Sequence, residues 1–392
     1  MGTTKVLAVA QLANSVGDGA FYVCSALYFT RVVGLSATQV GVALTVAWAV
    51  GAVAGVGLGH LADRVGLRRV AVGLAVVTAG ALASFLVVRS FWAFVAAACV
   101  YTCGQSGLVA TRQALLAGLV EPARRTRVRA VLQSVLNGGL AVGAGLGGVA
   151  LQVDTEAAYL AVFALDAAGF LVAAAVLGRV PEVAPVARTA RLGVLRDRPY
   201  ALVALLNSVV LLYMPMLSLV VPLWIVERTS APKWVVGLLF ILNTGAVVVG
   251  QVRLARGVTD LGTAVRSVRR GGVLLLMSCV VFALSAGVPD RVAVAVLVVA
   301  AGVQVVGEML HSAGSWEIGF DLAPADKQGQ YQGFYGMGPA VARTVGPLLL
   351  TTLVLGGGAV GWLVLGGLFV AAALAMTPAV RWSQRVREVA HR

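Results

Sequence analysis

Charged residues are scarce in this sequence, where Asp, Glu, Lys and Arg together make up 12% of the chain. A soluble domain carries about 25% charged residues, and 59% of this chain is hydrophobic, so it is not an ordinary globular protein. Uncharged runs long enough to cross a bilayer as helices, about 20 residues each, recur throughout. They lack the residue-by-residue alternation of a β-barrel strand. We therefore predict an all-α integral membrane protein.

Cysteine and histidine are also rare. The four cysteines all fall in apolar runs, which argues against a disulfide framework or a cysteine-based zinc site. The three histidines, His60, His311 and His391, are scattered, and no phosphate-binding loop of the GxxxxGKS or GxxxxGKT type occurs. We expect no metal, no cofactor and no enzymatic activity, because a membrane-embedded enzyme would need clustered His or paired Asp near one membrane face.

The apolar runs predict twelve transmembrane helices. They cover residues 6–30, 38–59, 70–88, 91–119, 130–153, 156–178, 199–226, 234–254, 271–288, 292–317, 330–355 and 359–380. A more polar segment, 179–198, divides them six and six, so we predict a cytoplasmic linker between an N-terminal six-helix bundle, 1–178, and a C-terminal one, 199–392. LANSV opens the first span and LLNSV the seventh. Such parallel repeats predict two pseudo-symmetric bundles around a central cavity.

The net charge of +14 is unevenly placed, because most of the 30 Lys and Arg residues fall in loops and tails on one side of the predicted spans. The positive-inside rule then puts both termini in the cytoplasm. Membrane topology and contact with the lipid bilayer account for the excess of basic residues, so we expect no nucleic-acid partner. Arginine far outnumbers lysine among abundant Ala, Gly and Val, which favours a multi-pass protein of a bacterial inner (plasma) membrane. We expect a monomer.

One charged loop, GHLADRVGLRR, joins the second and third spans. Its distinctive residues are Gly59, Asp63, Arg64, Gly66, Arg68 and Arg69. In sequence and position this loop resembles the signature loop of the major facilitator superfamily. The resemblance implies a conformational latch that favours one state of an alternating-access cycle. A simple topology anchor would explain the arginines but neither Asp63 nor the glycines. A degenerate counterpart in the second half, 253–270, carries Asp260.

Two further segments resemble one branch of that superfamily. In the fifth span, the glycine pattern of residues 139–148 is similar to the motif of twelve-helix drug:proton antiporters, with Ala144 where that family usually has Pro. Residues 305–333 resemble the end of span ten in multidrug-efflux members. Thr102 stands where proton-coupled members usually carry Arg, and Arg112 lies lower in the same span. The resemblance implies proton-coupled efflux of a small amphipathic drug or secondary metabolite.

Ionisable residues at bilayer depth are costly and are functional candidates by default. They are Asp18, Arg112, Asp166, Glu308 and Arg343. Spans one, four, seven and ten line the cavity in the resembled family. This implies a proton-coupling group of Asp18, Glu308 and Arg112, joined by His311 one turn after Glu308. Asp166 and Arg343 are a candidate ion pair. Permanent salt bridges, Asp18 with Arg343 or Glu308 with Arg112, are the alternative.

Polar and aromatic residues cluster on the same spans and predict a binding site for a small-molecule substrate. The candidates are Asn14, Asp18, Phe21, Tyr22, Tyr101, Gln105, Asn207, Tyr213, Asn243, Gln304 and Trp316. Aromatic faces beside a carboxylate suit an amphipathic cation. A proton-coupled uptake symporter of the same fold is the nearest alternative to an exporter. A membrane enzyme and a receptor that binds without moving its ligand are further alternatives.

Overall fold

The computed structural model describes residues 3–183 and 192–390, and the described residues form helices, turns and loops without a strand. The all-α prediction is thus confirmed for this part of the chain. Nine helical stretches within it are long and apolar enough to cross a membrane. Residues 184–191 of the predicted 179–198 linker lie outside the described residues.

Fifteen α-helices follow one another among the described residues. They are α1 (Thr3–Leu27), α2 (Ala37–Val65), α3 (Leu67–Ser84), α4 (Phe91–Leu119), α5 (Pro122–Val153), α6 (Glu156–Leu177), α7 (Arg198–Val210), α8 (Tyr213–Pro215), α9 (Val221–Arg228), α10 (Trp234–Ala255), α11 (Leu261–Ala283), α12 (Asp290–Asp321), α13 (Gln328–Tyr335), α14 (Gly338–Leu350) and α15 (Gly357–Ala390). Every predicted span overlaps at least one of them.

Two spans that the sequence predicts as continuous are interrupted in the structure. The span 199–226 is divided among α7, α8 and α9, and a turn at Gly336 and Met337 separates α13 from α14. A proline follows each break, Pro215 after the first and Pro339 after the second. Proline is tolerated in a first helical turn but removes a hydrogen bond from a helix interior, which favours new helical segments at these places.

Polar caps fix where several helices begin. Ser36 accepts the N–H of Gln39 at 3.1 Å, and the Gln39 side chain accepts the N–H of Ser36 at 2.9 Å, a reciprocal capping box that starts α2. Asp260 starts α11 by accepting the N–H of Thr263 at 2.9 Å. Between α2 and α3, Gly66 has a φ of 119°, a conformation that favours glycine.

The chain forms two compact units. Unit 1 comprises Met1–Leu192 and Ala323–Met337, and unit 2 comprises Gly193–Leu322 and Gly338–Arg392. The segment Ala323–Met337 follows α12 in sequence yet belongs to unit 1, where its helix α13 contacts α2 and α4. Glycines permit this approach, since a Cβ on Gly333 would lie 3.0 Å from the Cα of Val56.

Within unit 1, α5 packs closely on α1 through the glycine pattern seen in the sequence. A Cβ on Gly143 would lie 2.9 Å from the backbone N of Ala20, and one on Gly147 would lie 2.9 Å from the backbone O of the same residue. Gly145, on another side of α5, has nothing within 4 Å of such a Cβ. In a bilayer the hydrophobic effect does not drive helices together, so close packing relies on small residues at the helix interface. The glycines of α5 therefore help to position α1 and its acidic residue, Asp18.

The core of unit 2 centres on large aromatic side chains. The rings of Phe282 and Trp362 stack at 5.2 Å, and Trp224 contacts Trp362 edge to face at 5.6 Å. The buried indole N–H of Trp224 donates to the Ser285 hydroxyl at 3.0 Å. These contacts pack α9, α11 and α15 together in the core of unit 2.

Candidate functional site

Asp18 of α1 and two residues of α4 form a buried hydrogen-bonded cluster in unit 1. The Tyr101 hydroxyl donates to Asp18 Oδ1 at 3.2 Å, and Gln105 Nε2 donates to the same oxygen at 2.8 Å. Gln105 Nε2 also lies 2.9 Å from the Tyr101 hydroxyl oxygen, to which it donates. All three side chains are buried. The sequence placed these residues in one candidate site, and the structure brings them into direct contact.

Arg112 lies further along the same face of α4. At 3.6 residues per turn, positions 101, 105 and 112 of a helix point in nearly the same direction. Arg112 is half-buried, and its Nη1 has no hydrogen-bond partner among the described residues. A guanidinium on the face that carries the Asp18 partners supplies a positive charge to this cluster.

A second acidic residue, Asp166 of α6, lies beside α1 at the same level. A Cβ on Gly17 would come 2.5 Å from the Cα of Asp166, so only glycine permits this approach of α1 and α6. Asp166 is fully buried, and within the described part of the chain neither carboxylate oxygen has a hydrogen-bond partner. Sequence reasoning missed its place in this cluster. Arg343, its suggested partner, is exposed on α14, and their pairing stays a prediction.

The remaining unit 1 candidates lie on α1 around Asp18. Asn14, one turn before it, is buried, and its amide has no hydrogen-bond partner in the region described. The ring of Phe21 lies 5.4 Å from that of Tyr101. Tyr22 points outward with 49% of its surface exposed. Phe21 therefore adds an apolar wall beside the Asp18 cluster, whereas Tyr22 lies on a different face of α1.

In unit 2, His311 of α12 contacts α7 rather than Glu308. Its Nε2 lies 3.1 Å from Asn207 Oδ1, and the Ser315 hydroxyl donates to the same oxygen at 2.6 Å. His311 and Asn207 are both buried. The ring of Tyr213 lies 6.2 Å from that of His311. The structure thus makes His311 part of a buried network with Asn207.

Glu308 has partners of its own, and they are neutral amides. Asn243 of α10 donates to Glu308 Oε2 at 3.0 Å, and Gln304 donates to the same oxygen at 3.3 Å. Glu308 is half-buried and Gln304 is fully buried. Trp316, two turns further along α12, is half-buried as well. The candidates Asn243, Gln304 and Glu308 therefore form one cluster, separate in its hydrogen bonds from that of His311.

The signature loop makes two kinds of contact inside unit 1. Asp63 is 5% exposed, and its oxygens accept the backbone N–H groups of Gly329 at 2.7 Å and Gln330 at 2.9 Å. A carboxylate at the first turn of α13 accepts hydrogen bonds from backbone N–H groups that have no partner within the helix. Its negative charge also interacts favourably with the positive end of the helix dipole. Gly59 makes room for this, since a Cβ there would lie 2.6 Å from the backbone C of Gly329.

The arginines of the loop bind a residue that sequence reasoning overlooked. Arg68 lies 2.7 Å and Arg69 3.3 Å from the carboxylate of Glu182, and Arg68 also donates to the Val180 carbonyl at 3.2 Å. Arg64 is exposed. The only sequence signal was an acid just after the sixth span, within the segment predicted to be a cytoplasmic linker.

No group of three or more His, Cys, Asp or Glu side chains able to hold a metal ion occurs in the part of the chain that the structure describes. The polar clusters instead combine carboxylates with amide and hydroxyl donors. Such groups bind protons and polar or cationic organic molecules.

Comparison with known proteins identifies the family of the chain. The family model of the Major Facilitator Superfamily matches residues 7–347. Among curated proteins, none matches the sequence. A structure of a bacterial homologue of the iron transporter ferroportin, in an outward-facing state, has a TM-score of 0.79 at 16% identity, covering 98% of this chain and 100% of the other.

Two further solved structures share the fold. The E. coli fucose:proton symporter FucP gives a TM-score of 0.72 at 12% identity, covering 97% of this chain and 98% of its own. The human organic anion transporter MFSD10 (TETRAN) gives 0.68 at 17% identity, covering 95% and 98%. At these identities, the likeness concerns the fold.

Proposed function

The chain belongs to the Major Facilitator Superfamily, and we propose that it exports a small amphipathic compound in exchange for protons by alternating access. It is a multi-pass membrane protein and a transporter, not an enzyme. The proposal includes twelve spans in two six-helix bundles, with both termini in the cytoplasm, and a monomer in a bacterial inner membrane. In support, α1 and α11 contain 25 and 23 residues, long enough to cross a bilayer at 1.5 Å per residue.

The observation that carries proton coupling is the Asp18 cluster. Its carboxylate is buried, bonded to Tyr101 and Gln105 through one oxygen, and close to a second buried acid, Asp166. Ionisable groups at this depth are expensive and mark proton or substrate pathways. A coupling carboxylate must bind its proton differently in two conformations, because a ligand shifts an equilibrium only through differential affinity. Movement of α4 relative to α1 would change the hydrogen bonds that Tyr101 and Gln105 donate to Asp18.

Glu308 is the second proposed proton site. It receives hydrogen bonds from the amides of Asn243 and Gln304, and among the described residues it forms no ion pair. Amide donors can bond either the charged or the protonated carboxyl group. Glu308 can therefore exchange a proton without breaking a salt bridge, which favours a coupling role over a permanent structural bridge with Arg112.

The groups beside Asp18 support a proposed class of substrate. Phe21 and Tyr101 present adjacent rings, 5.4 Å between centroids, next to the carboxylate. Aromatic faces attract cations, and a carboxylate adds charge complementarity. We therefore propose an amphipathic cation that contacts Asp18, Phe21 and Tyr101.

The loop of residues 59–69 is proposed as the conformational latch. Asp63 caps α13 of unit 1, while Arg68 and Arg69 bind Glu182. These contacts stabilise one arrangement of α2 and α13. Any transport step that separates the two helices must break both hydrogen bonds of Asp63.

Uptake by a proton symporter is the second candidate. The fucose:proton symporter has this fold, so the architecture is compatible with either direction of transport. Flux under a reversed pH gradient distinguishes them, because an exporter in antiport and an importer in symport respond with opposite signs.

The test uses Asp18→Asn and Glu308→Gln in proteoliposomes, with a panel of amphipathic cations as substrates. We expect Glu308→Gln to lose pH-driven flux while it still binds substrate, and Asp18→Asn to lose both. Asp154→Asn is the control, because that acid pairs with Arg31 at an exposed position. Normal pH-driven flux in both test variants would contradict the proposal and make the two acids structural.

A further inference from the structure

A groove in unit 2 joins three arginines to an apolar floor. Its walls include Arg266, Arg269 and Arg270 of α11, and its volume is about 580 Å³. The floor is formed by Val273 of α11 together with Leu310 of α12 and Leu374 of α15. The groove lies in the degenerate counterpart of the signature loop, a segment to which the proposed transport function gives no role.

The three arginines form one cationic face. Positions 266, 269 and 270 are spaced i, i+3 and i+4, so they are neighbours on the helix surface. All three are exposed, and in the described part of the chain none of them forms an ion pair. In unit 1, by contrast, Glu182 neutralises Arg68 and Arg69. Among the described residues, no acid pairs with Arg266, Arg269 or Arg270 in the way that Glu182 pairs with the arginines of the signature loop.

The nearby acid Asp260 is engaged elsewhere. Its carboxylate accepts the backbone N–H of Thr263 at 2.9 Å and so caps α11. That hydrogen bond from Thr263 lowers the pKa of Asp260, and further hydrogen bonds from Thr259 and Thr263 act in the same direction. Asp260 thus caps its own helix, and in the described part of the chain it forms no ion pair with the three arginines.

The floor of the groove is apolar and open at its side. Val273 is 45% exposed and Leu374 is 46% exposed, and Val273 falls inside the predicted span 271–288. Val273 follows Arg270 by three residues, a rise of about 4.5 Å along the helix. A ligand that fills the groove therefore needs negative charge at one end and hydrocarbon at the other.

We propose that this groove binds one anionic phospholipid from the leaflet that faces the basic loops. The phosphate bonds to Arg266, Arg269 and Arg270, whose planar guanidinium groups can each donate two parallel hydrogen bonds to it. An acyl chain covers Val273 and Leu374. Basic pockets between membrane helices recognise anionic headgroups. A soluble anion would contact only the arginines and leave the apolar floor unoccupied.

Lipid binding to the detergent-purified protein tests this, with phosphatidylglycerol and phosphatidylcholine of the same acyl chains titrated by native mass spectrometry. We expect preferential binding of one phosphatidylglycerol. The double variant Arg266→Gln/Arg270→Gln should weaken that binding about 25-fold, at roughly fivefold per arginine. The matched control is Arg253→Gln/Arg256→Gln, which removes two charges at the end of α10, outside the groove. Equal loss in both double variants would overturn the proposal.

A third variant tests the floor with the charges intact. Val273→Trp places a bulky ring in the groove at a partly exposed position, so the fold should persist, and thermal unfolding checks this. We expect phosphatidylglycerol binding to fall about tenfold, since an acyl chain owes its affinity to buried CH₂ groups. If Val273→Trp bound phosphatidylglycerol as tightly as the wild type does, the proposal that the groove holds a lipid would be wrong. The proposal would also be wrong if glycerol 1-phosphate bound as tightly as phosphatidylglycerol, because the site would then hold a soluble anion.

Discussion

Replacing Asp63 by Asn should loosen the first turn of α13. The carboxylate accepts two backbone N–H groups, from Gly329 at 2.7 Å and Gln330 at 2.9 Å, in a buried setting. A hydrogen bond to a charged group contributes about 1.5–3 kcal/mol. Asn keeps one acceptor oxygen and loses the charge, so we expect a loss of about 2 kcal/mol, or roughly 30-fold in the local opening equilibrium.

Amide hydrogen exchange of peptides covering 328–335, in nanodiscs, measures this directly, because exchange reports local opening. We expect exchange there to become roughly 30-fold faster in Asp63→Asn, with slower transport at an equal membrane level. Asp260→Asn is the matched control, since Asp260 caps its own exposed helix and should leave 328–335 unchanged. Unchanged exchange in Asp63→Asn would refute the reasoning and reduce the loop to a topology anchor.

Three further variants test packing, the buried network and topology. Gly143→Ala, which would place a Cβ 2.9 Å from a backbone N of α1, should destabilise by about 1–3 kcal/mol in thermal unfolding, whereas Gly145→Ala, with nothing within 4 Å, should not. Asn207→Ala removes the acceptor shared by His311 and Ser315 and should cost about 1–3 kcal/mol in the same assay. Arg124→Cys, in a background without native cysteines, should resist impermeant maleimide in intact cells but react in inside-out vesicles; labelling from outside would overturn the topology.

The sequence predicts the helical segments well because membrane spans obey a strong rule. Each needs about 20 apolar residues with satisfied backbone groups, and charged loops mark their ends. Interruptions are harder to foresee, as at Gly336 and Met337, because a Pro-containing run of apolar residues reads as one span. Whether it bends or breaks depends on what packs against it.

The candidate site is predictable in part. Asp18, Tyr101 and Gln105 stand out as polar residues on apolar helices, and the structure joins them. The partners of Asp63 could not be predicted, since they lie 266 and 267 residues away and offer only backbone N–H groups. Asp166 was assigned to an ion pair because helix periodicity does not tell which neighbouring helix a residue faces.

The central claim is that protons move in exchange for substrate through Asp18. Purified protein in liposomes, with a pH-sensitive dye inside, can be given amphipathic cations from a panel while proton movement is recorded. We predict that a transported cation drives protons in the opposite direction, that Asp18→Asn abolishes this movement, and that Asp154→Asn retains it. Cation flux without proton movement, or wild-type proton movement in Asp18→Asn, would contradict the account.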